Sequence, residues 1–174
     1  MKQNATGYVN PRVLKLNVGY LLASGSGYSR DSYIDLPPTR VADDLDIEYL
    51  RGNLRLSRTK EGILLQAELE VSVKAQCYRC LMDVNHPMKL NLEELYTTAR
   101  MGDVEFVIDE GGILDLAPLI RAETLIEGEH RILCQPNCKG ICAVCGTNQN
   151  TDSCDCDYED IDPRLAALKQ LLDQ

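Results

Sequence analysis

Cysteines supply most of the chemistry available to this chain, which has eight of them in 174 residues. Six fall in one short stretch: Cys134, Cys138, Cys142, Cys145, Cys154 and Cys156. The pattern Cys142-Ala-Val-Cys145-Gly146 is typical of a zinc knuckle, in which a tight turn directs two sulfurs at one ion. We therefore expect Cys142 and Cys145 to form one half of a Zn²⁺ site. Either Cys154 with Cys156 or Cys134 with Cys138 forms the other half.

A second Cys-x-x-Cys pair lies much earlier, at Cys77-Tyr-Arg-Cys80. Two interpretations of this pair are open. It donates two ligands to a second site, so that all eight cysteines form two four-sulfur sites, or it is a pair of reduced, partly buried thiols.

Other uses of clustered cysteines fit less well. The spacings match neither common ferredoxin pattern, which disfavours an iron–sulfur cluster. A redox-active dithiol lacks the βαβ frame that usually surrounds one. Structural disulfides need an oxidising compartment, and the N-terminal residues contain no apolar run like that of a signal peptide. Because four thiolates leave no coordination position for water, the expected role of the zinc is structural.

Alternating apolar and polar residues predict the elements that hold these cysteines. Positions 63 to 77 are apolar at every second residue, which indicates a long strand with one wet face. Residues 47–58 predict a strand before it, with a bulge at Gly52 and a turn at Lys60-Glu61-Gly62, and residues 84–92 predict a strand after it. Three such strands favour an antiparallel meander with Cys77–Cys80 at one of its turns.

Two helices are predicted after the strands. Asp115 is a suitable N-cap for a helix that ends near Gly128, and Asp162-Pro163 is a strong start for another helix. The fold class is α+β: an antiparallel β-meander with a few helices and a C-terminal cysteine-rich zinc module. The expected divisions are a loose N-terminal arm (1–12), an α+β core domain (13–128), the zinc-binding module (129–160) and a C-terminal helix (161–174).

Charge limits the partners. A net charge of −9 argues against a broad nucleic-acid interface. One basic stripe stands apart, formed by Arg51, Arg55, Arg58 and Lys60, and it is either a solvated face or a small contact for RNA phosphates. Residues 150–162 contain six acids and no base, which indicates either a solvated face or a surface for basic partners.

Motifs for catalysis and membrane insertion are not found in the sequence. It contains no glycine-rich phosphate loop, no nucleophile elbow and no pair of carboxylates set apart from the rest. Its apolar stretches are shorter than the roughly 20 residues that span a bilayer. We expect a cytoplasmic protein that is not an enzyme and binds no small-molecule substrate.

At this point the motifs resemble a known family. Cys77-x-Arg-Cys80-Leu81 resembles the C-x-R-C-L signature of YceD-like proteins, described as large ribosomal RNA subunit accumulation proteins. The cysteine block 133–156, with Asn148 and Asn150, resembles the family's C-terminal block. Asp162-Pro163-Arg164-Leu165 is similar to its closing helix, and Leu16-Asn17-Val18 to its opening. The resemblance runs from about Leu14 to Leu172.

This resemblance implies a non-enzymatic role in large ribosomal subunit biogenesis and rRNA accumulation. Because the surface is acidic, we expect the direct partner to be a basic large-subunit ribosomal protein or an assembly factor. Any rRNA contact is expected to be limited to the stripe from Arg51 to Lys60. The alternatives are a direct RNA-binding zinc module and, less favoured, a thiol oxidoreductase.

Overall fold

The computed structural model describes residues 7–98, 106–128 and 132–156. After a 3-10 helix at Pro11–Leu14, the elements in chain order are β1 (Lys15–Asn17), α1 (Gly19–Leu22), β2 (Ser29–Leu36), β3 (Thr39–Ala42), β4 (Leu45–Arg58), β5 (Gly62–Gln76), β6 (Asp83–Thr97), β7 (Ile113–Asp115) and α2 (Ala117–Gly128).

The main sheet has five antiparallel strands in the order β2-β4-β5-β6, with β3 also paired to β4. β4, β5 and β6 follow one another in both sequence and space, so the predicted α+β class and antiparallel meander are confirmed. The reason is visible along β5, where Leu65, Ala67 and Leu69 are buried while Gln66 and Glu68 are exposed. Alternation at this period leaves one face of the sheet in water and buries the other.

The apolar face of the sheet is covered by the remaining elements. α1 contacts β4 and β5, α2 contacts β3 and β6, and β1 pairs with β7 in a separate two-stranded ribbon. The N-cap of α2 is Leu116, whose carbonyl accepts from Ile120 N at 3.0 Å, one residue after the predicted Asp115. Asp115 still contributes to the start of the helix, because its Oδ1 accepts a hydrogen bond from Ala117 N at 3.0 Å. Ile120 is fully buried, but Leu125 is 42% exposed, so α2 packs through its first turns only.

The predicted bulge at Gly52 is wrong. Gly52 pairs one-to-one with Ile34 on β2 and with Leu69 on β5, and the irregularity in β4 lies between Ile47 and Tyr49. The glycine is needed for another reason. A Cβ atom at this position would lie 2.1 Å from the carbonyl oxygen of Glu68, and the backbone φ of +153° is itself unfavourable for other residues.

The segment expected to be a loose N-terminal arm includes residues that contact β3. Val9 is buried, its N–H donates to Pro38 O at 2.8 Å, and its carbonyl accepts from Arg40 N at 3.0 Å. The expected C-terminal helix at 161–174 lies outside the described residues. In the described part of the chain, no helix has both the length and the apolar character needed to cross a membrane.

Candidate metal centres

The cysteines form two groups of four. The first cluster is Cys77, Cys80, Cys134 and Cys138, and the second cluster is Cys142, Cys145, Cys154 and Cys156. Within each cluster, all four Sγ atoms lie within 4.8 Å of one another. A tetrahedral zinc with Zn–S bonds of about 2.3 Å separates its sulfurs by about 3.8 Å. Both clusters therefore have the ligand type and the size of a four-sulfur metal site.

The first cluster joins the sheet to the cysteine-rich segment. Cys77 and Cys80 lie in the turn between β5 and β6, where Leu81 N donates to Cys77 O at 2.9 Å. Tyr78 N donates to Ile132 O at 2.8 Å, and this bond docks the incoming segment on the turn. Cys134 and Cys138 then complete the cluster, which crosses the expected boundary between the core domain and the zinc module.

Distances in the first cluster are short although no disulfide is present. Cys77 Sγ lies 3.7 Å from Cys138 Sγ, and Cys80 Sγ lies 3.5 Å from Cys134 Sγ. All four are free cysteines, and only Cys134 is more than 5% exposed. The sequence left open which cysteines share a site. In the structure, Cys77 and Cys80 lie beside Cys134 and Cys138.

The sulfurs of the first cluster compete for protons. Burial acts to raise the pKa of Cys77, but N–H groups from Cys80, Cys134 and Arg79 directed at its sulfur lower the pKa to about 6. Burial and the neighbouring sulfurs of Cys80 and Cys138 raise the pKa of Cys134 to about 12. Without a cation the four thiols cannot all ionise near neutral pH, whereas a divalent metal neutralises the charge of four thiolates in part. The donor set therefore fits a soft or borderline divalent ion.

Asn150 supports the first cluster from outside it. Its Nδ2 donates to Cys138 Sγ at 3.3 Å, and its Oδ1 accepts from Lys139 N at 2.9 Å and from Gln135 Nε2 at 3.0 Å. Burial acts to raise the pKa of Cys138, but the Asn150 hydrogen bond contributes to a net lowering. The sequence analysis includes Asn150 only as part of the family's cysteine block and assigns no role to it.

The second cluster is built on the turn that the spacing predicts. Val144 N and Cys145 N each donate to Cys142 Sγ at 3.4 Å, and Gly146 N donates to Cys142 O at 2.9 Å. Gly146 has φ +74°, a conformation that glycine adopts without strain. Cys154 and Cys156, rather than Cys134 and Cys138, lie beside this turn.

The second cluster is more accessible than the first. Cys142 is buried, but Cys145 is exposed and Cys154 and Cys156 are partly exposed. The Thr147 hydroxyl lies 3.1 Å from Cys145 Sγ and lowers the pKa of that thiol. The hydrogen bond with Cys145, followed by burial, raises the pKa of Cys156 to about 12. In both clusters, therefore, the pKa of some thiols is lowered while that of others is raised.

Backbone and side-chain contacts tie the two clusters together. Ile141 N donates to Arg79 O at 3.2 Å, and Ile141 pairs with Asn148 in an antiparallel bridge. Asn148 Nδ2 lies 3.0 Å from Met82 Sδ. These contacts therefore hold the turn at Cys77–Cys80 beside the turn at Cys142–Cys145.

Comparison of the sequence with known proteins identifies its family. Residues 65–172, more than half of the chain and a range that contains all eight cysteines, match the family described as large ribosomal RNA subunit accumulation protein YceD. The chain belongs to the YceD family. The family match agrees with the motif resemblance.

This chain covers a different share of the length of each relative. The chain is 32% identical to the uncharacterized protein YlbN of Bacillus subtilis over 143 residues, which are 80% of this chain and 77% of YlbN. It is 29% identical to an uncharacterized protein of Mycobacterium tuberculosis over 128 residues, 69% of this chain and 60% of the relative. For an uncharacterized protein of Mycobacterium leprae the identity is 27% over 128 residues, 69% and 58% of the two chains. The chain thus spans about 60% of the mycobacterial relatives, and no solved structure matches it.

Two residues of the basic stripe, Arg51 and Arg55, are paired with acids from neighbouring strands. Arg51 Nη2 donates to both carboxylate oxygens of Glu70, at 3.0 and 3.1 Å. Arg55 lies 3.8 Å from Asp31, and Arg58 Nη1 donates to the carbonyls of Thr59 and Gly62 at the β4–β5 turn.

Lys60 is exposed at that turn. Because β2 and β5 place acids beside Arg51 and Arg55, the stripe offers less attraction to phosphates than its sequence suggests.

Proposed function

We propose that this protein is a non-enzymatic accessory protein in biogenesis of the large ribosomal subunit, held in shape by two structural zinc ions. The observation that carries the proposal is the presence of two four-cysteine clusters within the part of the chain that matches the YceD family. The role belongs in the cytoplasm, where the thiols stay reduced and available to metal.

Zinc is the metal that suits the ligands best. Four cysteine sulfurs in a compact group are typical of structural zinc, and four protein ligands leave no position for a reacting water. Cys77, Cys80, Cys134 and Cys138 hold one ion in this proposal, and Cys142, Cys145, Cys154 and Cys156 hold the other. The ions bind the cysteine-rich segment to itself and to the sheet, so their contribution is to folding rather than to catalysis.

A basic protein suits the surface better than RNA does. The chain carries a net charge of −9, and each four-thiolate zinc site carries a formal charge of about −2. Asp152 and Asp155 lie in the loop that supplies the second cluster, and the rest of the acidic run, 157–162, lies outside the described residues. We therefore propose that the direct partner is a large-subunit ribosomal protein or an assembly factor with a basic surface, and that rRNA contact is limited.

Metal analysis combined with sedimentation tests this proposal. The purified full chain is expected to hold about two zinc ions and to sediment with large-subunit precursors in a sucrose gradient. The Cys77→Ser/Cys80→Ser variant should lose one ion and leave those fractions. Ser153→Ala, an exposed change within the cysteine-rich segment, is the matched control.

Two results would contradict the proposal. Full zinc retention by the Cys142→Ser/Cys145→Ser variant would exclude the second site. Absence of the parent chain from every large-subunit fraction would exclude the role. Steep salt dependence of binding to naked rRNA, abolished by changing Arg51, Arg55 and Arg58 to Glu, would favour the RNA-binding alternative instead. A reducible disulfide in the native protein would favour the thiol oxidoreductase.

A further inference from the structure

The two cysteine turns share one backbone hydrogen bond and a left-handed fifth residue, but the type of that residue differs. In Cys77-Tyr-Arg-Cys80-Leu81 and in Cys142-Ala-Val-Cys145-Gly146, the N–H of the fifth residue donates to the carbonyl of the first cysteine at 2.9 Å. The fifth residue is left-handed in both turns, with φ 59° at Leu81 and 74° at Gly146. Among the described residues, Leu81 is the one non-glycine residue with positive φ.

A leucine in this position is costly and gains little within the chain. The left-handed region brings the Cβ atom too close to the backbone, which is why glycine is the usual residue there. The Leu81 side chain is 57% exposed, so burial does not offset the strain. Strain of this kind at an exposed apolar residue indicates a role outside the folding of the turn itself.

Leu81 lies in a group of exposed apolar side chains on the two turns, which we name the knuckle patch. Its members are Tyr78 (64% exposed), Leu81, Met82 (46%), Ile141 (39%) and Val144 (64%). The Ile141–Arg79 and Asn148–Met82 contacts hold the two turns side by side. Several exposed apolar side chains on two adjoining segments are typical of an interaction site.

Three acids lie in or next to the segments that carry this patch, and they outnumber the bases there. Asp83 follows Met82, and Asp152 is held beside the patch because its N–H donates to Asn148 O at 3.0 Å. Asp155 lies between two ligands of the second cluster, Cys154 and Cys156. Of the two bases in these segments, Arg79 is bonded through Nη1 to Cys138 O at 2.8 Å, and Lys139 is exposed on the same side as Asp152. The occupant that complements such a surface has apolar side chains flanked by lysine or arginine.

We propose that the knuckle patch is the docking surface for a lysine- and arginine-rich segment of a large-subunit ribosomal protein, which places apolar side chains against Leu81 and Val144. This inference rests on the proposed function and names the surface through which that function acts. The metal sites hold the two turns in place, and the acids around them increase the rate of association with the basic segment.

The test uses the zinc-loaded full chain and two defined probes. The first probe is the protein fraction extracted from purified large ribosomal subunits, with each captured protein identified by mass spectrometry. The second is naked large-subunit rRNA. The variants are Leu81→Gly, which removes the apolar side chain and relieves the strain, and Val144→Ser. Tyr33→Ser is the matched control, because Tyr33 is 62% exposed but lies on the wet face of the sheet.

The expected result is that both variants capture a basic ribosomal protein about ten-fold more weakly than the parent, since each loses a buried apolar contact with the partner. Leu81→Gly should keep its zinc and show an unchanged or higher Tm, and Tyr33→Ser should bind as the parent does.

Three results overturn the docking surface alone: unchanged capture by both variants, a loss of rRNA binding in place of protein binding, and a lower Tm or zinc content for Leu81→Gly. A lower Tm or zinc content would mean that the Leu81 side chain stabilises the fold of this chain. If the parent chain captures no ribosomal protein, the proposed partner class and this inference both fail.

Discussion

Cys77 Sγ lies 3.7 Å from Cys138 Sγ, although 61 residues separate the two cysteines in the chain. The first belongs to the β5–β6 turn and the second to the cysteine-rich segment. A metal held here would tie the end of the β5–β6 hairpin to a part of the chain that has few apolar residues of its own. The second cluster is different, since its four cysteines all lie within residues 142–156.

The sheet is predicted to survive loss of the second metal site. The main apolar core contains none of the eight cysteines, so the Cys142→Ser/Cys145→Ser variant should keep its strand structure while the segment 141–156 unfolds. Hydrogen exchange with mass spectrometry checks this: protection should persist in β5 and disappear from the segment. Loss of protection in both regions would show that the sheet depends on the metal.

Asn150 is predicted to tune the first metal site without being a ligand. Asn150→Ala removes the hydrogen bond to Cys138 Sγ and the two bonds that hold Lys139 and Gln135. Loss of an outer-shell partner of this kind typically weakens metal binding by about 10- to 100-fold. Competition with a zinc chelator measures the change, with Asn85→Ala on β6 as the control. Equal affinity for the parent and Asn150→Ala would assign the residue to loop structure only.

Local pattern predicted the strands but not the pairing of the cysteines. Along β5, each side chain faces either water or core, so a period of two residues is sufficient evidence for the strand and for its exposed face. The choice between Cys134 and Cys154 as partner of the Cys142 turn depends on how a distant segment docks on the β5–β6 turn. No spacing within the cysteine block carries that information.

Contacts between residues on different strands could not be predicted from the sequence either. Arg51 and Arg55 formed a basic stripe in the sequence because their acidic neighbours, Glu70 and Asp31, come from other strands and are seen only in the register. Gly52 was interpreted as a bulge because glycine in a strand often marks one. The close approach of Glu68 O is a tertiary contact and leaves no local signal.

Gly52→Ala is predicted to be strongly destabilising. The new Cβ atom would lie 2.1 Å from Glu68 O, a backbone atom, so β4 and β5 must separate locally. We expect a loss of about 3 kcal/mol in the free energy of unfolding, from steric conflict and backbone strain together. Urea unfolding measures it, and Gly25→Ala is the matched control because nothing lies within 4 Å of a Cβ added there. Equal effects of the two changes would contradict the close packing at Gly52.

Glu70 is predicted to make stability depend on pH. The hydrogen bond from Tyr49, followed by that from Arg51, lowers the pKa of Glu70 in the folded protein. A lowered carboxyl pKa contributes stability that is fully present above the ordinary glutamate pKa of about 4.3 and is lost as pH falls through the lowered value. The parent should therefore be more stable than Glu70→Gln at pH 7, and the difference should shrink in acid.

Thermal unfolding of both proteins across a pH series checks this expectation. Glu68→Gln, an exposed change on the same face of β5, controls for the loss of one negative charge. A stability difference that stays constant from neutral to acidic pH would show that Glu70 does not act through its charge.

The two halves of the first cluster are synthesised at different times, because they are far apart in the sequence. Cys80 precedes Cys134 by 54 residues, and at translation rates of about 5–20 residues per second several seconds pass between them. During that time the β4–β5 and β5–β6 hairpins can form from contacts that are close in sequence. Cys77 and Cys80 then still lack the other two cysteines of their cluster. A truncated chain that lacks the cysteine-rich segment cannot close this cluster. A metal in the first site would therefore mark a chain that has been synthesised at least as far as Cys138, which distinguishes it from products that end before that residue.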